Sequence, residues 1–314
     1  MTQELQEFID SEQRTITAPD PLPFPFNRST FCRFESIEKR IEAVRVLVVN
    51  DLLRHESDLS EIAIREMGRT APLELQRERK ISALAIENIL NNIERLVKNP
   101  ETRVTHLSEI EEAAREFEPD AIVLSGTLRD FDYYNPEIIS KFGEFIRRTK
   151  IPVLGICGGH QLVGLSFGAR IVTLDHHEQH ERRVGRPYEY QYRFIRIKDA
   201  SDPIFEGISD DESGIWQDYT REARILRVWQ NHGLQLDAVP DGFKLLATAY
   251  LCRIQMLVRR AAGQLIYTVQ FHLEKSFEDW NKNRTRWEHP NESRDGRIIF
   301  ENFLREALNH SASN

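Results

Sequence analysis

Nowhere in the 314 residues does an apolar run approach the roughly 20 residues that a membrane-spanning helix needs. The N-terminus, Met-Thr-Gln-Glu-Leu-Gln-Glu, is acidic and lacks the apolar stretch of a secretory signal. Cysteine is scarce as well. Cys32, Cys157 and Cys252 are too few and too scattered for a disulfide framework and fit a reducing compartment, so a cytoplasmic location is expected. Positive charge is also in short supply. With 42 Lys and Arg against 50 Asp and Glu, the net charge of −8 argues against nucleic acid or an anionic membrane as the main partner. Internal repeats and low-complexity tracts are missing too. What remains is an ordinary globular composition, 40% hydrophobic and 29% charged, on a chain long enough for one large α/β domain or two smaller ones.

Residues 1–41 read as an arm. Pro19-Asp-Pro-Leu-Pro-Phe-Pro-Phe26 is too rich in proline for helix or central strand, and is either an extended tail or a segment pinned to a surface. Residues 42–314 read as one domain. Val44–Val49 and Ala121–Leu124 are compact buried strands, and Ile151–Ile156 is a third. Between them, helices are expected over Ser57–Met67, over the apolar series from Ile81 to Leu96, from a capped start at Ser108, and over 136–149. Gly68–Arg77 reads as a connection and Arg103–Leu107 as a short strand. Strands alternating with helices predict an α/β fold, a doubly wound and mostly parallel central sheet flanked by helices. Its chemistry belongs at the carboxyl ends of the strands, where both Ser125-Gly126 and Cys157 fall. After Ala169 the texture turns to strands, at Arg170–Leu174, Tyr188–Ile197, Ala223–Trp229, Lys244–Ala249, Ile254–Arg259 and Leu265–Gln270. These are expected to extend the sheet, partly antiparallel, before a final helix at Gly296–Leu308.

Pro152-Val-Leu-Gly-Ile-Cys-Gly-Gly-His-Gln161 places a cysteine between an apolar strand and a helix, with Gly155, Gly158 and Gly159 around it. That is the layout of a nucleophile elbow, where a helix N-terminus activates a thiol and offers amide N–H groups to an oxyanion. On these residues alone, a packed strand-end cysteine is an equal alternative. A cysteine nucleophile needs a base and an orienter. Tyr267-Thr-Val-Gln-Phe-His-Leu-Glu274 supplies both, since residues i and i+2 of an extended chain share a face and Glu274 can reach the His272 ring.

Taken together, Pro-x-x-Gly-x-Cys-x-Gly-x-Gln and Gln-Phe-His-x-Glu resemble the class I (triad) glutamine amidotransferases, whose fold is flavodoxin-like. Val228-Trp-Gln-Asn-His-Gly233 and Pro240-Asp-Gly-Phe-Lys-Leu-Leu-Ala-Thr248 are similar to segments of the amidotransferase half of GMP synthase. The resemblance covers roughly Val44–Leu308 and implies Cys157 as nucleophile, His272 as base and acid, and Glu274 as orienter. It implies an oxyanion hole from Gly158 and the Gly126-Thr127 turn, and glutamine held by Gln161 and the backbone of Asn231 and His232. It implies no cofactor and no metal. Glutamine or a related γ-glutamyl amide is the implied substrate, with ammonia passed to a separate ATP-dependent synthetase.

Several features depart from the family. Thr127 stands where a glycine is usual, Leu234 where relatives of GMP synthase carry an acid, and Leu273 where proline is usual. No Ser-Gly-Gly-x-Asp-Ser loop of an ATP-pyrophosphatase half is found. Three segments read as insertions, near 57–100, 175–187 and 276–294. In the second, His176 and His180 have metal-binding spacing, though a solvated charged loop is the plainer reading. The third, with Trp280 and Trp287, reads as a lid, a docking surface or a long surface loop. A stand-alone hydrolase or transferase on a γ-glutamyl compound, or a catalytically weak regulatory homologue, are the alternatives to a glutaminase.

Overall fold

The computed structural model describes residues 38–208, 225–275 and 294–313. The proline-containing arm up to residue 37 and nearly all of the third insertion lie outside the described residues. The strands are β1 (Ile41–Asn50), β2 (Val97–His106), β3 (Ala121–Leu124), β4 (Val153–Ile156), β5 (Ile171–Thr173), β6 (Glu189–Ile197), β7 (Ile225–His232), β8 (Leu234–Leu236), β9 (Lys244–Thr248), β10 (Met256–Ala261) and β11 (Gln264–Val269). The α-helices are α1 (Glu61–Met67), α2 (Ala71–Leu96), α3 (Ile110–Phe117), α4 (Pro136–Arg148), α5 (Gly158–Ser166) and α6 (Arg294–Ser313).

One sheet carries nine strands in the order β2-β1-β3-β4-β11-β10-β9-β6-β7. The first five are mutually parallel and the last four antiparallel to their neighbours. Alternation along β1 explains the layering. Val46 and Val48 face α2 and α6, where Ile89, Ile93, Phe300 and Phe303 pack. Leu47 and Val49 face the other way, onto α3, α4 and α5 with Ile110, Phe142 and Leu162. Both faces are buried, as a parallel sheet requires.

Four expectations fail, each for a local reason. Gly68–Arg77 is not a connection, because α2 already begins at Ala71 with Pro72 in its first turn, where a missing N–H costs nothing. The short strand at 103–107 is instead ten residues, paired with β1 along its whole length. Pro100 is tolerated because β2 is an edge strand. Ser108 does not cap α3; a 3₁₀ turn at Leu107–Glu109 comes first, and the Ser108 amide donates to the His106 ring. Finally, β5 leaves the main sheet and pairs with β8 as a separate two-stranded ribbon.

The carboxyl ends of β1, β3, β4 and β11 meet along one rim. That rim carries the chemistry.

Candidate active site

Cys157 follows β4 directly, with φ 51° and ψ −99°, a left-handed backbone that a non-glycine residue adopts only when its surroundings hold it there. Its N–H donates to the Val269 carbonyl at 2.7 Å, and its own carbonyl accepts from Gln161 N at 3.1 Å. The turn is tight enough to demand glycine at 155. A Cβ there would lie 2.8 Å from the carbonyl carbon and oxygen of Gly159. At Gly158 a Cβ would collide with the backbone nitrogen and side chain of Thr127. The Gly158 and Thr127 backbones therefore touch, and Gly126 lies against the His272 ring and Cys157 Cβ. Thr127 keeps a negative φ, so a β-branched residue sits there without strain.

β11 ends at Val269, and the chain runs on through Gln270 to His272, whose N–H donates to Trp229 O at 2.8 Å. His272 is thus a bridge residue beside β7, with Glu274 in the turn that follows. The pair meets, but across a turn rather than along an extended strand. His272 Nδ1 lies 2.7 Å from Glu274 Oε1. Asn92 of α2 donates to the Glu274 carbonyl at 2.7 Å, so that helix anchors this turn.

Burial is the largest influence on His272 and favours the neutral ring, yet the Glu274 carboxylate and then Cys157 outweigh it and push the ring up to about 10. Burial likewise opposes the Glu274 carboxylate, and the His272 charge overcomes it, holding the group below its ordinary range. His272 Nε2 is buried and makes no hydrogen bond of ordinary geometry. Near neutral pH the site therefore holds an imidazolium between a carboxylate and a sulfur.

A residue the motif reading passed over completes the arrangement. Gln270 Nε2 points at Cys157 Sγ, 3.7 Å away. Its orientation follows from its neighbours. Gln161 Nε2 lies 3.0 Å from Leu234 O, which can only accept, and 3.0 Å from Gln270 Oε1. Gln270 must then present its NH₂ to the sulfur. Gln161, expected to hold substrate, is buried with both amide hydrogens committed to this chain of contacts. Asn231 and His232 lie in the β6–β7 ladder, opposite Tyr190 and Glu189. The Asn231 side chain accepts from Tyr188 OH at 3.0 Å.

With this geometry in place, comparison is informative. A sequence profile of the glutamine amidotransferase class-I family matches residues 85–288. The chain belongs to that family. Class I amidotransferases are cysteine-dependent amidohydrolases, and the rim above is where this member brings cysteine, histidine and glutamate together. GMP synthase [glutamine-hydrolyzing] of Ralstonia pickettii is 31% identical over 174 residues, 54% of this chain and 27% of that protein. The Cupriavidus necator protein of the same name is 32% identical over 164 residues, 51% of this chain and 25% of that protein. The chain thus matches about a quarter of the length of these curated relatives. A Thermoplasma acidophilum protein described as one component of a GMP synthase superposes with a TM-score of 0.51 at 20% identity, covering 86% of this chain and 96% of that one. At that identity the likeness speaks for the fold alone. No helix among the described residues is long and apolar enough to cross a membrane.

Two segments, α2 and the histidine-rich loop, contact the 129–132 stretch beside the rim. From α2, Glu74 and Glu78 bind Arg129 at 2.6 and 3.0 Å, just past Thr127. From the histidine-rich loop, Arg183 binds Asp130 and Asp132, Arg186 binds Asp130, and Gln179 accepts from Phe131 N. The loop is exposed or half-buried along its length, with His176 and His180 exposed, and Arg183, Arg186 and Gln179 tie it to the 130–132 segment. Burial raises the Glu78 carboxyl, and Arg129 opposes it. Arg129→Met leaves Glu78, 1% exposed, without its counter-charge. It is expected to lower stability by about 3 kcal/mol at pH 8. The loss shrinks at pH 5, where Glu78 can take a proton. Chemical denaturation at the two pH values checks both. The one group of three potential metal ligands among the described residues is Glu189, His232 and Cys252, and it includes no histidine of that loop.

Proposed function

We propose that the chain hydrolyses the side-chain amide of glutamine through Cys157 and passes the ammonia to a separate acceptor-amidating enzyme. The observation that carries this reading is the His272 ring, 2.7 Å from Glu274 and beside Cys157, which sits on a strained elbow between glycine-lined turns. The thiolate attacks the amide carbon, a C–S bond forms, and the carbonyl electron pair moves to oxygen. We assign that oxyanion to the Gly158 N–H and the Gly126-Thr127 turn, a reading supported by the close approach of the two backbones. Collapse expels ammonia, with its proton supplied by His272, and leaves a γ-glutamyl thioester. Water, deprotonated by His272, then attacks the thioester and releases glutamate and the thiolate. The GMP synthases it resembles are named as glutamine-hydrolysing, and this chain matches about a quarter of their length.

Gln270 acts here as a donor to the thiolate. A hydrogen bond to a charged group contributes about 1.5–3 kcal/mol, so Gln270→Leu is expected to slow Cys157 alkylation by iodoacetamide roughly 10- to 100-fold at pH 7. Unchanged kinetics would remove Gln270 from the reaction.

One observation favours a second substrate. Leu234 is buried against the core, so no carboxylate stands where relatives of GMP synthase carry one to meet the α-ammonium of free glutamine. Without that carboxylate, a γ-glutamyl amide whose amine is blocked is the second candidate. Ammonia release by the purified chain, from glutamine and from N-acylated glutamine, with Cys157→Ala as control, separates the two substrates. Release from neither, with Cys157 still readily alkylated, points to a need for the synthetase partner. An unreactive Cys157 points to a regulatory homologue.

A further inference from the structure

A second cluster of reactive groups lies behind the catalytic rim and takes no part in the proposed chemistry. Glu189 of β6, His232 at the end of β7 and Cys252 just ahead of β10 present one ligand atom each, all within 4.8 Å of one another. All three are buried, with 7%, 4% and 0% of their surface exposed. We propose that they hold a single divalent d-block cation, zinc by the chemistry of the donors.

The argument rests on how each donor is oriented. His232 Nδ1 lies 2.9 Å from the Leu234 carbonyl, which can only accept, so Nδ1 carries a hydrogen. Nε2 then faces the cluster and is the ring atom that can bind a metal. It lies 3.0 Å from Glu189 Oε2 but makes no hydrogen bond of acceptable geometry. Two donors that lie side by side without aligning on each other are arranged as ligands of a third atom. The carboxylate is oriented in the same way. Gln230 Nε2 donates to Gln255 Oε1 at 2.8 Å, and this turns Gln255 Nε2 onto Glu189 Oε2 at 3.3 Å. Metal sites show this outer layer: a ligand histidine giving its other N–H to a carbonyl, and a ligand carboxylate fixed by a hydrogen bond. Cys252 has only a long contact, 3.6 Å to Ile254 O, and burial holds its thiol in the protonated form. A cation would release that proton, and thiolate, carboxylate and zinc would together be neutral, which suits a buried place. Thiolate, imidazole and carboxylate are the ligand types of tetrahedral zinc, with a fourth position left for water or a further side chain. The cation would join β6, β7 and the loop before β10. The β7 residue Trp229 accepts the His272 N–H, so the metal would brace the strand on which the catalytic histidine rests.

Metal content is read independently of any turnover. The Cys157→Ser chain, which removes the competing active-site thiol, is equilibrated with zinc buffered in the nanomolar to micromolar range, desalted and analysed by elemental mass spectrometry. About one zinc per chain is expected, with a more than tenfold loss in Cys252→Ala, whose folding is checked by circular dichroism. Cobalt in place of zinc should give a near-ultraviolet sulfur-to-metal charge-transfer band that disappears in Cys252→Ala. A folded chain that takes up no metal would show that Glu189 and His232 are a buried ion pair only, and would overturn the proposal. So would metal retained in full by Cys252→Ala, or bound cobalt with no thiolate band.

Discussion

Glu274→Gln is expected to lower the rate of amide hydrolysis by about 10²- to 10⁴-fold while leaving the chain folded. Glutamine keeps the size of the side chain, which is 3% exposed and 2.7 Å from His272 Nδ1. What it removes is the charge. Burial then dominates at His272 and favours the neutral ring, so the imidazolium beside Cys157 is lost. Two measurements test this. Alkylation of Cys157 at pH 7 should be slower in Glu274→Gln than in the natural chain, and equal rates would contradict the account. Stability follows the same proton. A ring whose folded value is raised from 6.5 to about 10 adds stability that is fully present below 6.5 and is lost as pH rises through about 10. The gap in Tm between the natural chain and Glu274→Gln should therefore be widest near pH 6 and close towards pH 10. Parallel curves would mean that Glu274 does not charge His272.

Gly155→Ala should be among the most damaging single methyls in the molecule. The added Cβ would meet the backbone of Gly159 at 2.8 Å and His160 N at 3.0 Å, and no rotamer can relieve a backbone contact. α5 would have to move away from β4, taking with it the Gly158 N–H and the turn that holds Cys157 at φ 51°. The expected cost is about 3 kcal/mol, a fall in Tm of at least about 5 °C, and a loss of activity of more than about 100-fold from misplacement alone. Gly168→Ala is the control: nothing lies within 4 Å of its Cβ, and only its positive φ is penalised.

These two predictions show how unevenly the sequence speaks. Glycines around Cys157 and a His-x-Glu pair are local signals, and the α/β alternation and the family are legible from them. The orientation of Gln161 is not, because it depends on Leu234, 73 residues away, and on Gln270, 109 away. The full length of the edge strand β2 is hidden because Pro100 looks like a turn until β1 pairs with it. The histidine-rich loop is solvated as its charge suggests, but its ion pairs to Asp130 and Asp132 exist only once β3 and β5 are folded. Glu189, His232 and Cys252 carry no common motif, since three separate segments bring them together.

The central claim is that Cys157 is a thiolate nucleophile towards a γ-carboxamide. Acid quench of the chain during turnover of glutamine or N-acylated glutamine, followed by peptide mass spectrometry, tests it most directly. A γ-glutamyl adduct confined to the peptide carrying Cys157, absent in Cys157→Ala and accumulating in His272→Asn only with a slowed onset, is the predicted result. Turnover of either amide by Cys157→Ala, or an adduct carried elsewhere in the chain, would contradict it.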